Sequence, residues 1–241
     1  MQQNWFSCER IEPFQTFTDT LKLDKFFNVM NDIDTLVFDY GGVIVNLDNN
    51  KVSDALCTLG VGRIQQVLQA NKIKKLTRDF IDGIIPTNVT MERMLKLCRT
   101  GTTCEDLVAV LNNLCGNLPA SRLQALKDLK RNYRVLLLSN ISDILWEYSV
   151  GEITSRGFSP EDCFDAFYLS YEMGVAKPDK DIYLRMISDA GIIPSRTIYF
   201  DDRKDNYEAG LSLGFHSVLV PTNHLEDLPI WSRLVSVNNK N

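Results

Sequence analysis

Five short runs of apolar residues stand out along the 241-residue chain. Apolar side chains follow one another in these runs without alternating with polar ones, which is typical of strands buried on both faces of a parallel sheet. The predicted strands are Thr35–Phe38, Val135–Leu138, Ala166–Leu169, Thr197–Phe200 and Ser217–Val220.

Helical patterns lie between the later strands. Apolar residues recur at helical spacing in Asp179–Ala190 and in Asn206–Leu213, and each stretch stops at a glycine, Gly191 or Gly214. Strands that alternate with helices over short connections predict an α/β fold with a doubly wound parallel sheet.

The first two predicted strands are separated by almost a hundred residues, far more than one crossover helix needs. Thr103 and Asp106 have the spacing of a capping box at the start of a helix. We therefore predict that residues 48–118 form an inserted helical cap domain, and that 31–47 together with 119–241 form the α/β core. Residues 1–30 are interpreted as an N-terminal extension with no assigned chemistry. The predicted helices around the insertion are Thr90–Arg99, Glu105–Cys115 and, returning to the core, Pro119–Asn132.

Charge and composition narrow the possible partners. Lys and Arg number 26 against 31 Asp and Glu, giving a formal net charge of −5 with no conspicuous basic run, so no nucleic-acid partner is expected. No apolar stretch approaches ~18 residues and no secretory signal is evident, so no membrane association is expected. The six cysteines show no C-x-x-C spacing, which favours reduced thiols in a cytoplasmic protein over a zinc site.

Polar residues follow four of the predicted strands, or the loop just beyond them. Because the carboxyl ends of parallel strands meet at one edge of a sheet, these side chains should converge. Carboxylates are the ligands that Mg²⁺ prefers, an aspartate can accept a phosphoryl group, and a lysine can neutralise charge on that group. The sequence thus predicts a site for phosphate and Mg²⁺, formed by Asp39, Ser139, Asn140, Lys177, Asp201, Asp202, Asp205 and Asn206.

Four such motifs in this order resemble the haloacid dehalogenase (HAD) superfamily, from about Asn31 to Val220, with an insertion similar to its C1-type cap. The resemblance implies a HAD-like, Rossmannoid core and a hydrolase in which Asp39 is the nucleophile and forms an aspartyl-phosphate. It also implies that Ser139 and Asn140 orient the phosphate, while Lys177 steadies both the nucleophile and the phosphate.

The same resemblance implies a magnesium site. Asp39, Asp202 and the backbone carbonyl of Gly41 would hold the ion, with Asp201 and Asn206 holding metal-bound waters. Ser139 and Asn140 have a plainer interpretation as an ordinary helix cap ahead of the following apolar residues.

Gly41 departs from the family pattern, because this position usually carries a second aspartate that acts as general acid and base. Loss of a positioned acid typically costs ~10²–10⁴ in rate. Family members with glycine here include sugar-phosphate phosphatases, which this chain resembles more than the dehalogenases. Asp48 is the nearest carboxylate that could substitute, although it equally fits the first residue of a helix.

The predicted function is a Mg²⁺-dependent phosphatase of a small phosphorylated metabolite, with sugar phosphates favoured. Gly41 supports an alternative, a catalytically weak family member that binds a phosphorylated ligand or a protein. Dehalogenation also uses an aspartate nucleophile but needs no magnesium, and the pair Asp201–Asp202 argues against it. Neither the individual substrate nor the oligomeric state follows from the sequence.

Overall fold

The five predicted strands form one parallel sheet in the computed structural model, which describes residues 32–60, 75–76 and 78–238. Each strand lies within one residue of its predicted bounds. The predicted extension, residues 1–30, lies outside the described residues. The strands are β1 (Thr35–Phe38), β2 (Arg134–Ser139), β3 (Ala166–Leu169), β4 (Thr197–Asp201) and β5 (His216–Leu219).

Strand β1 lies at the centre of the sheet, whose order is β3-β2-β1-β4-β5. Phe38 at the end of β1 pairs with Leu137 of β2 on one side and Phe200 of β4 on the other. The carboxyl ends of these three strands therefore lie side by side. They flank the switch point, at which β2 and β3 lie on one side of β1 and β4 and β5 lie on the other. In such sheets this is where ligands bind.

Helices cover both faces of the sheet, which confirms the predicted α/β class. They are α1 (Asn49–Thr58), α2 (Thr87–Leu95), α3 (Cys104–Asn112), α4 (Ala120–Leu129), α5 (Asp143–Ser155), α6 (Pro160–Cys163), α7 (Ser170–Met173), α8 (Lys180–Ala190), α9 (Lys204–Ser212) and α10 (Pro229–Asn238), with short 3-10 turns at Pro194–Arg196 and Leu225–Asp227. Within the described ranges, none of the helices is both long and apolar enough to cross a membrane.

Successive residues of β1 point to opposite faces of the sheet, and this alternation divides the core into two clusters. Leu36 and Phe38 belong to a large cluster that includes residues of the insertion, whereas Val37 packs with Ile182 and Met186 of α8. The apolar face predicted for α8 is thus the one that is buried.

The insertion between β1 and α4 is tied to the core where it begins and ends. The Asn46 amide donates to the Asn117 carbonyl (2.9 Å), and the Gly116 amide donates to the Asn46 carbonyl (2.7 Å). The predicted capping box of α3 is present, with Thr103 and Asp106 bonded reciprocally at 3.0 and 3.1 Å. Helix α2 begins earlier than predicted and ends four residues sooner, at Leu95. The division into a core and a cap domain stays a prediction.

Candidate active site

Asp39 follows β1 directly, and its side chain is largely buried. Its backbone amide donates to the Phe200 carbonyl (2.9 Å), which continues the pairing with β4 for one more residue. Its Oδ1 accepts hydrogen bonds from the Tyr40 amide (2.7 Å) and lies 2.9 Å from Lys177 Nζ. The sheet therefore fixes both the position and the orientation of this carboxylate.

Lys177 reaches the same place from the loop between α7 and α8. Its Nζ lies 2.9 Å from Asp39 Oδ1 and 2.8 Å from Asp201 Oδ2, and donates to the Leu138 carbonyl at 2.8 Å. Although burial acts to lower its pKa, the carboxylates of Asp201 and Asp39 raise the pKa of Lys177 above its ordinary value. The buried ammonium is therefore charged and fully engaged.

Asn140 fixes the loop that carries this lysine. Its Oδ1 accepts from the backbone amide of Lys177 (2.8 Å) while its Nδ2 donates to the Lys177 carbonyl (2.9 Å). Ser139, at the end of β2, is buried beside it. The alternative role of these two residues as a helix cap is wrong, because Ser142 caps α5 by accepting from the Leu145 amide.

Asp201, the last residue of β4, is completely buried and already has four hydrogen-bond donors. Lys177 and the Tyr199 hydroxyl contact Oδ2, at 2.8 and 2.5 Å, and the Arg203 amide donates to Oδ1 at 2.8 Å. The Asn206 side-chain amide contacts both oxygens, at 3.0 and 3.1 Å. This bonding holds Asp201 rigidly and spreads its charge over its neighbours.

Asp202 has a different environment. Its Oδ2 accepts from the Thr222 hydroxyl (2.8 Å). Burial, and after it the carboxylates of Asp39 and Asp201, raises the pKa of Asp202 to about 7. Burial likewise raises the pKa of Asp39, against the lowering effect of Lys177. The positive charge around these two carboxylates is thus too small to keep their pKa values at the level usual for aspartate.

These observations fit a divalent cation. Oxygen atoms of Asp39, Asp201 and Asp202 lie within 4.8 Å of one another. Three ionised carboxylates beside one ammonium leave two negative charges, and like charges this close raise one another's pKa values unless a cation compensates them. The Oδ1 atom of Asn206, whose side-chain nitrogen bonds Asp201, is buried without a hydrogen-bond partner among the described residues. Hard oxygen donors of this kind select Mg²⁺.

Two glycines, Gly41 and Gly42, follow Asp39 and Tyr40, and a side chain would meet different neighbours at each. Gly42 has a φ of +77°, and a Cβ there would lie 2.3 Å from Asp202 Oδ2, so only glycine lets the loop approach that carboxylate. At Gly41 a Cβ would lie 3.3 Å from Leu47 Cδ2. The place of the family's second aspartate therefore faces a leucine.

Residues beyond β5 form hydrogen bonds to the loop that contains Gly41 and Gly42, called the glycine loop below. The Asn223 amide donates to the Gly42 carbonyl (2.7 Å), and its side chain bonds both the amide (2.7 Å) and the carbonyl (3.0 Å) of Leu47. Asp48, weighed as a substitute acid, lies at the start of α1, accepts from the Lys51 amide (3.0 Å) and has a lowered pKa because of that bond. Its interpretation as a helix-start residue agrees with this geometry.

Sequence reasoning missed four residues that contribute to the site. Thr222 and Asn223 follow β5 at the same sheet edge, so the rule that found the other residues applies to them as well. Tyr199 lies two residues before Asp201, on the same face of β4, and alternation along a strand could have indicated it. Asp82, which accepts from Asn140 Nδ2 (3.1 Å), carries no local signal.

The fold and this arrangement define a HAD-type hydrolase, and comparison with known families agrees. The family of haloacid dehalogenase-like hydrolases matches residues 33–214, so the chain belongs to it. The predicted superfamily and hydrolase class are thereby confirmed.

Individual relatives are similar over most of their length. A D-ribitol-5-phosphate phosphatase from Bacteroides thetaiotaomicron is 30% identical over 77% of this chain and 90% of that protein. A HAD family enzyme from the same organism, solved with magnesium and inorganic phosphate, is 28% identical with a TM-score of 0.73, covering 80% of this chain and 96% of that one. A HAD-like hydrolase from Porphyromonas gingivalis is 27% identical with a TM-score of 0.71, covering 84% and 98%. These names agree with the predicted class of magnesium-dependent phosphatase.

Proposed function

We propose that this protein is a Mg²⁺-dependent phosphatase that removes phosphate from a small sugar or sugar-alcohol phosphate through an aspartyl-phosphate on Asp39. The observation that carries the proposal is the cluster itself. A buried carboxylate at the end of β1 is oriented by Lys177, with Asp201 and Asp202 close enough to share one cation. The name of the 30%-identical relative favours a sugar alcohol.

Each residue has a distinct part in the proposed reaction. An oxygen of Asp39 attacks phosphorus, while Lys177 holds this carboxylate in place and offsets charge on the phosphoryl oxygens. At the end of β2, Ser139 binds those oxygens through its hydroxyl and Asn140 through its backbone amide, because the Asn140 side chain is engaged with Lys177 and Asp82. Asp201, with its oxygens bonded, positions the lysine.

The metal would be held by Asp39, Asp202 and the carbonyl of Gly41, with Asp201 and Asn206 beside it. When bound, Mg²⁺ supplies positive charge at the phosphoryl oxygens.

Residues 48–118 serve as the cap in this proposal. A lid over the site excludes water and selects the substrate. Contact between Asp82 of the insertion and Asn140 of the core supports this role. Small phosphorylated metabolites therefore suit the site better than macromolecules. The cytoplasmic location stays a prediction.

The test is phosphate release from a panel of sugar and sugar-alcohol phosphates, with and without Mg²⁺. Asp39→Asn should abolish release, and Asp34→Asn is the matched control. Asp34 lies just before β1, at its opposite end, where it pairs with Arg196 at the surface (2.8 Å). Release that persists without Mg²⁺ and in Asp39→Asn would overturn the proposal.

Gly41 favours a second candidate, a weakly catalytic protein that binds a phosphorylated ligand. This candidate predicts Mg²⁺-dependent binding of sugar-alcohol phosphates, measured by calorimetry, with no release of phosphate in the same samples.

A further inference from the structure

The insertion contributes one carboxylate to the surroundings of the site, that of Asp82. The Asn140 Nδ2 atom donates to Asp82 Oδ1 at 3.1 Å and to the Lys177 carbonyl at 2.9 Å. A single side-chain amide thus links Asp82 to the loop that carries the catalytic lysine. Asp82 is half-buried there, between the insertion and the core.

The position of Asp82 is fixed by the residue after it. Gly83 has a φ of +67°, and a Cβ on it would lie 2.5 Å from the Ile141 carbonyl and 2.7 Å from Tyr171 Cβ. Backbone of the insertion therefore packs directly on the loop that follows β2. In an in-line displacement the leaving oxygen departs on the side of phosphorus opposite the nucleophile, so an acid for that oxygen must approach the sheet from outside it, as the insertion does where Asp82 contacts Asn140.

The charged groups that interact with Asp82 are Arg78 and Asp79, which lie with it in the helical residues 78–82, and Arg203 from the loop after β4. Burial is the largest influence and raises the pKa of Asp82, while Arg78, the bond from Asn140 and Arg203 act to lower it. The net direction is upward, so Asp82 keeps a proton to higher pH than an ordinary aspartate. That suits a group that donates one.

Two other positions near the glycine loop, Gly41 and Asp48, are candidates for the acid, and neither is suited to it. The position of the family's second aspartate is Gly41, where an added Cβ would lie 3.3 Å from the Leu47 side chain. Asp48 is bonded and paired to Lys51, at 3.0 and 3.2 Å, with a lowered pKa. Neither position offers a proton to a leaving group.

We propose that Asp82 is the catalytic acid and base that substitutes for the aspartate absent at Gly41. The inference rests on the proposed phosphatase function. In the first step the Asp82 carboxyl proton passes to the bridging oxygen as the bond from phosphorus to that oxygen breaks and Asp39 bonds to phosphorus, releasing the alcohol. In the second, the Asp82 carboxylate takes a proton from water as the water oxygen bonds to phosphorus, and Asp39 leaves as a carboxylate.

The test compares Asp82→Asn with wild type in stopped-flow first-turnover measurements with Mg²⁺. Asparagine keeps an oxygen for Asn140 but cannot donate the acidic proton. For ribitol 5-phosphate, whose leaving alcohol needs protonation, the first-turnover rate should fall by ~10²–10⁴. For p-nitrophenyl phosphate, whose leaving group needs none, it should fall less than about tenfold. With p-nitrophenyl phosphate, the phosphorylated form of Asp82→Asn should then accumulate and be detected as acid-stable, hydroxylamine-sensitive phosphate on the protein. It accumulates because the second step lacks its base.

Asp79→Asn is the matched control. It removes a carboxylate from the same helix, but one whose contact is Lys75 at 2.7 Å. Both first-turnover rates should stay within about threefold of wild type, because the carboxylate that is removed bonds Lys75 rather than Asn140. Equal losses on the two substrates in Asp82→Asn, or no loss on either, would overturn the role of Asp82. If the wild-type protein with Mg²⁺ released phosphate from neither substrate, the proposed function would be overturned, and the inference with it.

Discussion

Replacing Gly42 with alanine tests how closely the glycine loop and the metal cluster depend on each other. The alanine Cβ would lie 2.3 Å from Asp202 Oδ2 and 3.1 Å from the Thr222 methyl group. Ordinary contact begins near 3.4 Å, so the Asp202 carboxylate must move by about 1 Å. The same Oδ2 atom accepts the 2.8 Å hydrogen bond from Thr222, so this movement disturbs that bond.

Two effects of different size follow from this substitution. The positive φ of +77° costs roughly 1–2 kcal/mol of folding free energy for a residue with a Cβ. A displacement of about 1 Å in a catalytic group can cost ~10² in rate. We therefore expect a modest loss of stability together with a loss of about a hundredfold in kcat/KM and a weaker affinity for Mg²⁺.

Gly157→Ala separates the two effects. Gly157 has a similar φ of +83°, but a Cβ there would meet no heavy atom within 4 Å. This control should lose the same 1–2 kcal/mol or so in urea unfolding and keep its activity and its Mg²⁺ affinity, measured by calorimetry. If Gly42→Ala matched Gly157→Ala in activity and Mg²⁺ affinity, the claim that the loop positions Asp202 would be refuted.

Three other predictions concern the charges and the helices. Because the folded-state pKa values of Asp39 (about 6) and Asp202 (about 7) are raised, the metal-free folded protein binds more protons than the unfolded chain above about pH 4. Its Tm in calorimetry should fall from pH 5 to pH 7.5, and saturating Mg²⁺ should remove the fall; a rise without metal would contradict this. Lys177→Met leaves its buried carboxylates unpaired and should cost about 3–5 kcal/mol in urea unfolding, with a loss under 1 kcal/mol counting against the ion pairs. Gly151→Ala, inside α5 and with no atom within 4 Å of its Cβ, should gain about 0.5–1 kcal/mol in the same assay, and a loss would contradict the open space.

The centre of the sheet was predictable because β1, β2 and β4 are buried almost throughout, so their sequences consist mostly of apolar residues. Val37 and Leu136 show this, since each is completely buried and each has apolar neighbours on both sides in the chain. The edge of the sheet then predicts which polar residues meet. Asp39, Lys177 and Asp201, far apart in the sequence, do so within hydrogen-bond distance.

Contacts that depend on side-chain direction were not predictable in the same way. Nothing local distinguishes Asp201, whose oxygens are saturated by neighbours, from Asp202, whose surroundings leave it poorly compensated. Helix α2 begins directly after Pro86, outside the apolar pattern used to predict it. The approach of Asp82 to Asn140 depends on how the insertion packs against the core, and helical periodicity carries no information about that.

The pairing of Thr222 with Asp202 and of Asn223 with the glycine loop has a practical consequence for protein production. Both residues come after position 214, where the match to the family ends. An expression fragment trimmed to that boundary would keep Asp39, Lys177 and the Asp201–Asp202 pair, yet would lack β5 and the side chains of Thr222 and Asn223. Boundaries drawn from family similarity alone would therefore yield a shortened polypeptide that carries every expected motif but lacks the hydrogen bonds from Thr222 to Asp202 and from Asn223 to Gly42.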